Sequence, residues 1–326
     1  MEKEKIIVVD RSDINDLLPI VAKLEDNAIR EISYVETMDM AMDELQSLEL
    51  STIPSWWFDE FDKTFWLLMR WQVYIIGWVT GTGKSTFLNQ ICQNVSEQWF
   101  RVSLYTLEDR IQTIRQNQLY FTVNKLRREY EESMLPKWEF MAGIHKSDKY
   151  IQKARMILEK KHKNLVTLKH NWYVTIKIIE EMIKEAAKAG SKIIALDHLH
   201  YFDMSENVAS DRHDLVIKDI MHRINNLARE LNITILLVAH YKKIPFGQKP
   251  SLNDFSGSIS IAQVANGIIH IYRDKSDALE PNKTEFIIDK NRDMGITKTI
   301  EWTFNLSTYE YEFTQSELAK DRRWRG

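Results

Sequence analysis

The sequence contains a single cysteine, Cys92, among 326 residues. One thiol cannot form an intrachain disulfide, a thiolate zinc site or a dithiol redox pair, so these kinds of site are excluded. Cys92 lies among Phe87, Leu88, Ile91 and Val95 at helical spacing. This pattern predicts that the thiol packs in a hydrophobic core.

Long apolar runs are also missing. No run reaches the roughly 18 residues of a membrane-spanning helix, and the first five residues lack the apolar core of a secretory signal. We therefore expect an intracellular protein without membrane association. Basic and acidic residues nearly balance, at 44 and 47. The chain therefore cannot bind nucleic acid merely by being polycationic, which still leaves room for local basic patches.

Glycine is scarce, and tryptophan is abundant. The chain has ten glycines, where usual composition would give about twenty-three. It also has ten tryptophans, five of them between Trp56 and Trp78. Any motif that depends on glycine should therefore stand out.

From about Val73 onward, short β-branched runs alternate with longer segments of helical period, which is typical of a parallel sheet flanked by helices. The predicted strands are 73–76, 102–105, 165–168, 193–196, 233–238 and 268–272, with sheet-edge additions at 285–289 and 298–306. The predicted helices include 84–99, 173–189 and 212–230, with Gly190 at the C′ position of the second. The expected fold class is α/β.

The chain before residue 51 has a different pattern. Residues 39–50 predict a short helix with one apolar face. Met42, Leu45 and Leu48, together with Met38 just before the helix, form this face. This face could pack on its own domain or on a neighbouring subunit, and the sequence leaves both alternatives open.

A phosphate-binding loop follows the first predicted strand. The segment Gly77-Trp78-Val79-Thr80-Gly81-Thr82-Gly83-Lys84-Ser85-Thr86 joins that strand to an amphipathic helix. In this context, backbone amides and the Lys84 ammonium should bind the phosphates, and the Ser85 hydroxyl should bind Mg²⁺. Gly77, Gly81 and Gly83 are assigned to this loop, because a Cβ would obstruct the backbone's approach to phosphate. Trp78 stands where the strict pattern has its first glycine.

Polar residues end three further predicted strands, where the phosphate loop should also lie. Asp197 is predicted to hold the metal, with a buried helix cap as the alternative. Glu108, ahead of Asp109, is predicted to orient the attacking water, although both carboxylates would also favour the start of a helix. His240 could hydrogen-bond the terminal phosphate and report its presence to the following loop.

The order of these motifs resembles the RecA-like domain of DnaB-like replicative helicases of superfamily four, in particular the phage helicase-primase and Twinkle branch. In chain order the motifs are Gly-Thr-Gly-Lys-Ser-Thr, Leu-Glu-Asp, Leu-Asp-His, Val-Ala-His, Phe-Ser-Gly-Ser with a following Gln, and Lys-Asn-Arg. The resemblance implies a RecA-like P-loop ATPase domain with a mostly parallel central sheet flanked by helices, preceded by a short helical linker. It also implies that the cofactors are ATP, or another NTP, and Mg²⁺.

The resemblance assigns roles to residues of this chain. Glu108 falls on the catalytic carboxylate, Asp197 on the metal-shell aspartate and His240 on the phosphate-sensing histidine. Gln263 falls on the glutamine that links nucleotide state to the DNA loops. The cofactor-binding set implied in this way is Gly81, Thr82, Gly83, Lys84, Ser85 and Thr86, with Arg273 beside the adenine.

Two further assignments concern neighbouring molecules. By the same resemblance, Arg292 is the arginine finger that reaches the next subunit's ATP and Lys290 is its companion, whereas the alternative is a solvated basic turn. The loop after His240 is predicted to face DNA through Lys242, Lys243 and Lys249, with a solvated loop as the alternative. In a ring, repeated copies of this loop would make a basic channel.

The expected domains are an N-terminal segment and linker helix at 1–50, the helicase ATPase at 51–314 and a basic tail at 315–326. The first segment is interpreted as a remnant of a primase-type domain, and we expect no primer synthesis. The implied partners are single-stranded and forked DNA, further copies in a ring that is a hexamer in this family, and a primase, polymerase or helicase loader. The expected location is the cytoplasm of a bacterial or phage-infected cell, with the mitochondrial matrix as second choice.

The function predicted from these features is an ATP-dependent, ring-forming DNA helicase that moves 5′ to 3′ on single-stranded DNA. Two alternatives remain. One is a recombinase-like or clock-type ATPase that binds DNA without unwinding it. The other is a nucleotide-binding loader or scaffold, for which Trp78 is the supporting feature.

Overall fold

A computed structural model describes residues 34–47, 53–56, 58–78, 84–106, 110–168, 175–197, 213–242, 244–245, 247–255, 258–274, 276–306 and 310–313. The chain divides into two compact units, Met1–Thr52 and Ile53–Gly326. In the first, helix α1 spans Tyr34–Ser47 and so begins before the predicted start at residue 39. Its apolar residues Met38, Met42 and Leu45 are exposed.

The second unit alternates helices and strands. In chain order the elements are α2 Asp59–Phe65, β1 Val73–Trp78, α3 Lys84–Glu97, β2 Val102–Thr106, α4 Ile111–Glu129, α5 Lys137–Met141, α6 Tyr150–Lys161, β3 Leu165–Leu168, α7 Ile176–Lys188, β4 Ile193–Asp197, α8 His213–Glu230, β5 Thr234–His240, α9 Ser258–Val264, β6 Gly267–Tyr272, β7 Lys283–Asn291, β8 Lys298–Asn305 and β9 Glu310–Phe313. A short 3₁₀ helix, Leu252–Asp254, precedes α9.

The described strands form one sheet in the order β3-β2-β4-β5-β1-β6-β7-β8-β9. The first six strands in that order run parallel, and β7, β8 and β9 extend the sheet antiparallel. This arrangement confirms the predicted α/β class and each predicted strand. Gly190 has a φ of +90° and follows Ala189, the C-cap of α7, as expected of a C′ glycine.

Aromatic residues cover one face of the sheet. Trp56 and Phe61, from the chain before β1, are fully buried and lie against rings of the strands. The centroid of Trp56 lies 5.0 Å from that of Tyr74 on β1, and the centroid of Phe61 lies 5.2 Å from that of Trp302 on β8. Such pairs contribute about 0.5–1.5 kcal/mol each beyond their buried area. Part of the tryptophan excess before β1 is therefore core packing.

The opposite face of the sheet packs against α7, α8 and α9. Cys92 is fully buried on α3, as predicted. The sequence pattern does not predict the helices α4, α5 and α6, which have a small core of their own around Leu126 and Tyr150. None of the described helices is long and apolar enough to cross a membrane.

Candidate functional site

The predicted nucleotide-binding residues that the structure describes lie at the C-terminal edge of the parallel strands. β1 runs between β5 and β6 and ends at Trp78, and α3 begins at Lys84. Gly81, Thr82 and Gly83 lie outside the described residues, but the strand and the helix that flank them are in place. The N-terminus of α3 therefore lies where its backbone amides would favour an anion.

Gly77 belongs to the strand and not to the loop, so its assignment to the phosphate loop was wrong. It lies within β1 and pairs with Ala239 of β5 and His270 of β6. A Cβ atom at this position would lie 2.5 Å from the Phe255 ring and 2.5 Å from the Tyr241 hydroxyl oxygen. The absence of a side chain at Gly77 thus makes room for these two rings.

The two predicted metal ligands are in contact. The Ser85 hydroxyl, in the first turn of α3, donates a hydrogen bond of 2.9 Å to Oδ2 of Asp197 at the end of β4. Asp197 is 2% exposed, and Thr86 beside Ser85 is half-buried. A hydroxyl and a carboxylate oxygen are hard ligands of the kind that Mg²⁺ prefers. These residues therefore fit the predicted metal ion.

His240 and Glu108 were predicted at the same edge. His240 is the last residue of β5, is half-buried, and pairs in register with Trp78 of β1. β2 ends at Thr106, which pairs with Asp197, so this strand leads toward the same place. Glu108 itself lies outside the described residues. Its catalytic role and the phosphate-sensing role of His240 stay predictions.

Arg273 directly follows β6, the strand on the other side of β1. Its guanidinium carbon lies 4.5 Å from the centroid of the Phe304 ring on β8. Stacking on an aromatic face holds a guanidinium in place. The contact gives Arg273 a fixed position at this edge, and its role beside the adenine stays a prediction.

Lys290, Arg292 and Gln263 meet at the C-terminus of α9. The Lys290 ammonium donates a hydrogen bond to the carbonyl of Ala262, and Arg292 Nη2 donates one of 2.6 Å to the carbonyl of Gln263. A helix C-terminus attracts cations because its last carbonyls have no partner within the helix. Burial, with a smaller contribution from the Arg292 charge, lowers the pKa of Lys290 to about 8. The Gln263 side chain is exposed.

These cations lie far from the phosphate site of their own chain. Because β7 runs antiparallel to β6, Lys290 pairs with Ile268 near the start of β6. Asp197 and His240 end their parallel strands at the other edge of the sheet. Lys290 and Arg292, which the resemblance assigns to contact between subunits, are thus brought together with Gln263, separately from the metal-binding pair.

The predicted DNA loop contacts β6 and β7 through Gly247 and Lys249. Lys242 is exposed, and Lys243 lies outside the described residues. Lys249 forms an ion pair of 2.5 Å with Glu285 of β7. The loop itself contains no acidic residue, so this carboxylate comes from a distant part of the chain. An exposed pair of this kind contributes only about 0–1 kcal/mol, so a phosphate could replace the carboxylate.

A buried polar network was missed from the sequence. His270, in the apolar strand β6, contacts Tyr241 through one ring nitrogen and Asp289 through the other. Its only sequence signal is an imidazole within an otherwise apolar strand, and this pattern does not show what the imidazole contacts.

Residues 55–313 match the family described as DnaB-like helicase C terminal domain. The chain belongs to this family. A solved structure described as an ATPase domain is similar with a TM-score of 0.72 and 18% identity, covering 88% of this chain and 100% of that chain. Another, described as "The Structure Of A DnaB-Like Replicative Helicase And Its Interactions With Primase", has a TM-score of 0.71 and 18% identity over 93% of this chain and 72% of that chain. No curated protein sequence matches the chain.

The predicted family and RecA-like fold are thereby confirmed. The chain carries a DnaB-like helicase domain, and this family couples nucleotide hydrolysis to helicase activity. The match begins at residue 55 and ends at 313, close to the predicted ATPase domain of 51–314. The individual roles of the site residues and the exact domain boundaries stay predictions.

Proposed function

We propose that the protein is an ATP-dependent, ring-forming replicative helicase that moves 5′ to 3′ along single-stranded DNA and unwinds duplex DNA. The observation that carries this proposal is the contact between Ser85 and Asp197 beside the start of α3. It joins the two groups that a P-loop ATPase needs around its metal, within a DnaB-like helicase domain.

Nucleotide binding would use the loop and the first turn of α3. Backbone amides from Gly81 to Ser85 and the Lys84 ammonium would hold the phosphates, with Thr86 beside them. Ser85 and Asp197 would hold Mg²⁺, which supplies charge neutralisation at the phosphate oxygens when bound.

Catalysis would combine groups from two chains. Glu108 would orient the attacking water, and a ring N–H of His240 would donate a hydrogen bond to the terminal phosphate. Arg292 and Lys290 would stabilise the charge at the next subunit's phosphate, a contribution that can reach about 10³–10⁵ in rate for an arginine finger. Their position at the opposite edge of the sheet from Asp197 supports action on another chain.

A head-to-tail ring follows from this division of labour, because each complete site needs two neighbouring chains. In such a ring, Lys242, Lys243 and Lys249 would face the DNA strand, and Gln263 would link them to the nucleotide. The proposed partners are therefore single-stranded and forked DNA and further copies of the chain. One structure of similar fold is described with primase interactions, which makes a primase, polymerase or loader a reasonable further partner. The proposed location is the cytoplasm of a bacterial or phage-infected cell.

The decisive experiment is unwinding of a forked duplex with ATP and Mg²⁺, with Lys84→Ala as the matched control. We expect the parent protein to separate the strands and Lys84→Ala to be inactive. Unwinding that survives the Lys84 change would overturn the nucleotide site. DNA-stimulated hydrolysis without strand separation would instead favour the recombinase-like alternative, and ATP binding without hydrolysis would favour the loader or scaffold.

A further inference from the structure

A fully buried imidazole lies on β6. His270 is 0% exposed within a strand whose other buried side chains are apolar. Burial of an imidazole is costly unless its nitrogens keep hydrogen-bond partners. Both nitrogens have one: Nδ1 lies 2.6 Å from the Tyr241 hydroxyl, and Nε2 lies 3.2 Å from Oδ2 of Asp289.

The partners fix the direction of these hydrogen bonds. An ionised carboxylate can only accept, so Nε2 of His270 carries the proton that is donated to Asp289. In the neutral imidazole, Nδ1 is the acceptor and the Tyr241 hydroxyl donates to it. The hydrogen bond from His270 is the main cause that lowers the pKa of Asp289, which keeps this carboxylate ionised. Oδ2 of Asp289 also accepts a hydrogen bond of 3.1 Å from the backbone amide of Leu252.

Each end of this network adjoins a residue of the proposed mechanism. Tyr241 directly follows His240, the proposed phosphate sensor. Asp289 directly precedes Lys290 and lies three positions before Arg292. The network therefore connects the end of β5 with the end of β7 through the side chain of His270 on β6.

Asp289 also occupies a β-bulge. Along the ladder between β6 and β7, Ile269 pairs with Ile288 and Ile268 pairs with Lys290, so Asp289 is the extra residue. A bulge bends its strand and changes the direction of the side chains that follow. The direction in which Lys290 and Arg292 leave the sheet thus depends on how Asp289 is held.

The network has little freedom to rearrange. The His270 ring stacks on Phe255, with centroids 5.3 Å apart and planes at 29°. Phe255 and the Tyr241 hydroxyl fill the space above Gly77, in the strand that leads to the phosphate loop. A displacement of Tyr241 therefore meets β1 on one side and His270 on the other.

We propose that His270 is a positioning residue. By holding Asp289 it fixes the β-bulge, and the bulge determines the direction in which Lys290 and Arg292 extend toward the neighbouring subunit. The hydrogen bond between Tyr241 and His270 connects this bulge with the loop after His240. The inference rests on the proposed function, because it takes Lys290 and Arg292 to act on another chain. His270 itself touches no substrate in this role.

The first test uses Asp289→Asn, which removes the charge and keeps the shape of the side chain. We expect kcat for DNA-stimulated ATP hydrolysis to fall about tenfold to a hundredfold, the range seen when catalytic groups are misplaced by about 1 Å. KM for ATP should be unchanged, because the nucleotide-binding loop is not altered. Tyr241→Phe, which removes only the hydroxyl, should lower kcat by a smaller factor.

The matched control is Glu301→Gln, the same kind of change on the adjacent strand β8, where Glu301 forms an ion pair with Lys283. It should leave kcat and KM at the parent values. A raised KM would show that Asp289→Asn alters the nucleotide site of its own chain. A kcat at the parent value, whether or not the melting temperature falls, would show that Asp289 does not position the cations. Either result overturns the proposal.

The second test separates a role in trans from a local defect. Asp289→Asn chains are mixed with Glu108→Ala chains and allowed to co-assemble. Suppose that the Asp289 change affects only the cations that reach the neighbouring chain. In a random ring of equal amounts, about a quarter of the interfaces then combine Glu108 from an Asp289→Asn chain with the intact Lys290 and Arg292 of a Glu108→Ala chain, and activity returns in part. The mixture of Arg292→Ala with Glu108→Ala is measured in parallel.

The two mixtures distinguish the possible failures. No recovery with Arg292→Ala, despite confirmed co-assembly, would reject the trans role of Arg292 and the inference with it. Recovery with Arg292→Ala but not with Asp289→Asn would overturn the inference alone and leave the proposed function standing. Recovery in both mixtures, with unchanged KM, supports the positioning role.

Discussion

At the scale of single residues, two of the scarce glycines lie in strands where aromatic rings pack directly against the backbone. A Cβ at Gly267 would lie 2.6 Å from Tyr74 and 2.8 Å from Phe65, and a Cβ at Gly77 would contact Phe255 and Tyr241 just as closely. Neither glycine has the positive φ of the turn glycines at 143, 190, 247 and 295. These positions require the absence of a side chain and not an unusual backbone conformation.

Gly77→Ala should therefore destabilise the protein by packing strain. We expect a loss of about 1–3 kcal/mol in the free energy of unfolding, the usual cost of adding a methyl group to a filled core. Urea denaturation followed by circular dichroism measures this loss. Thr299→Ala, an exposed change on β8, is the control and should stay within about 0.5 kcal/mol of the parent. An unchanged midpoint for Gly77→Ala would mean that the two rings move aside at no cost.

Gly77 also shows what the sequence pattern could not predict. The sequence correctly predicted that Ser85, after the glycine loop, and Asp197, at the end of β4, lie together, because both follow strands of a parallel sheet and meet at the same edge. The same pattern suggested a loop role for Gly77. Only the tertiary contact with Phe255, far along the chain, shows that Gly77 serves packing.

At the scale of elements, the strands were easier to predict than the helices. β1, β4 and β5 are buried on both faces, so each appears in the sequence as a short, continuous apolar run. The helices α4 and α6 pack on a small local core, with many polar residues on their surfaces. Their apolar pattern is correspondingly weak, which explains why the sequence predicts no element between β2 and β3.

The antiparallel strands illustrate the same point for the site. The run that forms β7 was visible, but its bulge was not, because a bulge depends on the register with β6. The meeting of Lys290 and Arg292 with the end of α9 also depends on that register. The sequence motifs thus identified Lys290 and Arg292 as candidates, but only the folded structure shows which groups these residues contact.

The loop after β5 leads to a prediction about DNA binding. Replacing Lys242, Lys243 and Lys249 together by alanine should weaken binding to single-stranded DNA. Three lost phosphate contacts would reduce the slope of log K against log salt by about 2. Fluorescence anisotropy of a labelled oligonucleotide over a series of salt concentrations measures both effects. Unchanged affinity and slope would place the DNA site elsewhere.

The ion pair between Lys249 and Glu285 provides a matched control for this loop. Glu285→Gln removes the carboxylate that competes with phosphate for Lys249, so this variant should bind single-stranded DNA more tightly and with a steeper salt dependence. Weaker binding by Glu285→Gln would show that the pair holds the loop in its binding conformation.

At the scale of the whole molecule, the ATPase unit has two different edges. The Ser85–Asp197 pair lies at the C-terminal edge of the parallel strands, and Lys290 and Arg292 lie near the N-terminal end of β6. If these cations act on the phosphate site of a neighbouring chain, as proposed, the contacts between copies are heterologous and head-to-tail, and such contacts close into a ring when the rotation between copies permits. The hydrolysis rate should therefore depend on protein concentration.

Helix α1 provides the assembly prediction. Its side chains Met38, Met42 and Leu45 are 44%, 47% and 66% exposed, although they share one apolar face. If this face docks on the adjacent protomer, replacing all three residues by serine removes apolar area that assembly would bury. The concentration of half-assembly should then rise about tenfold or more, since each 1.4 kcal/mol changes the equilibrium tenfold. Sedimentation velocity over a concentration series measures this shift.

Asp39→Asn combined with Asp43→Asn, on the same helix, is the control and should leave the assembly unchanged. If α1 docks only on the neighbouring chain, the melting temperature of dissociated chains should not change in either variant. A lower melting temperature with unchanged assembly would instead show that the apolar face packs within its own chain. The two alternatives that the sequence left open for this helix are thereby separated by one pair of measurements.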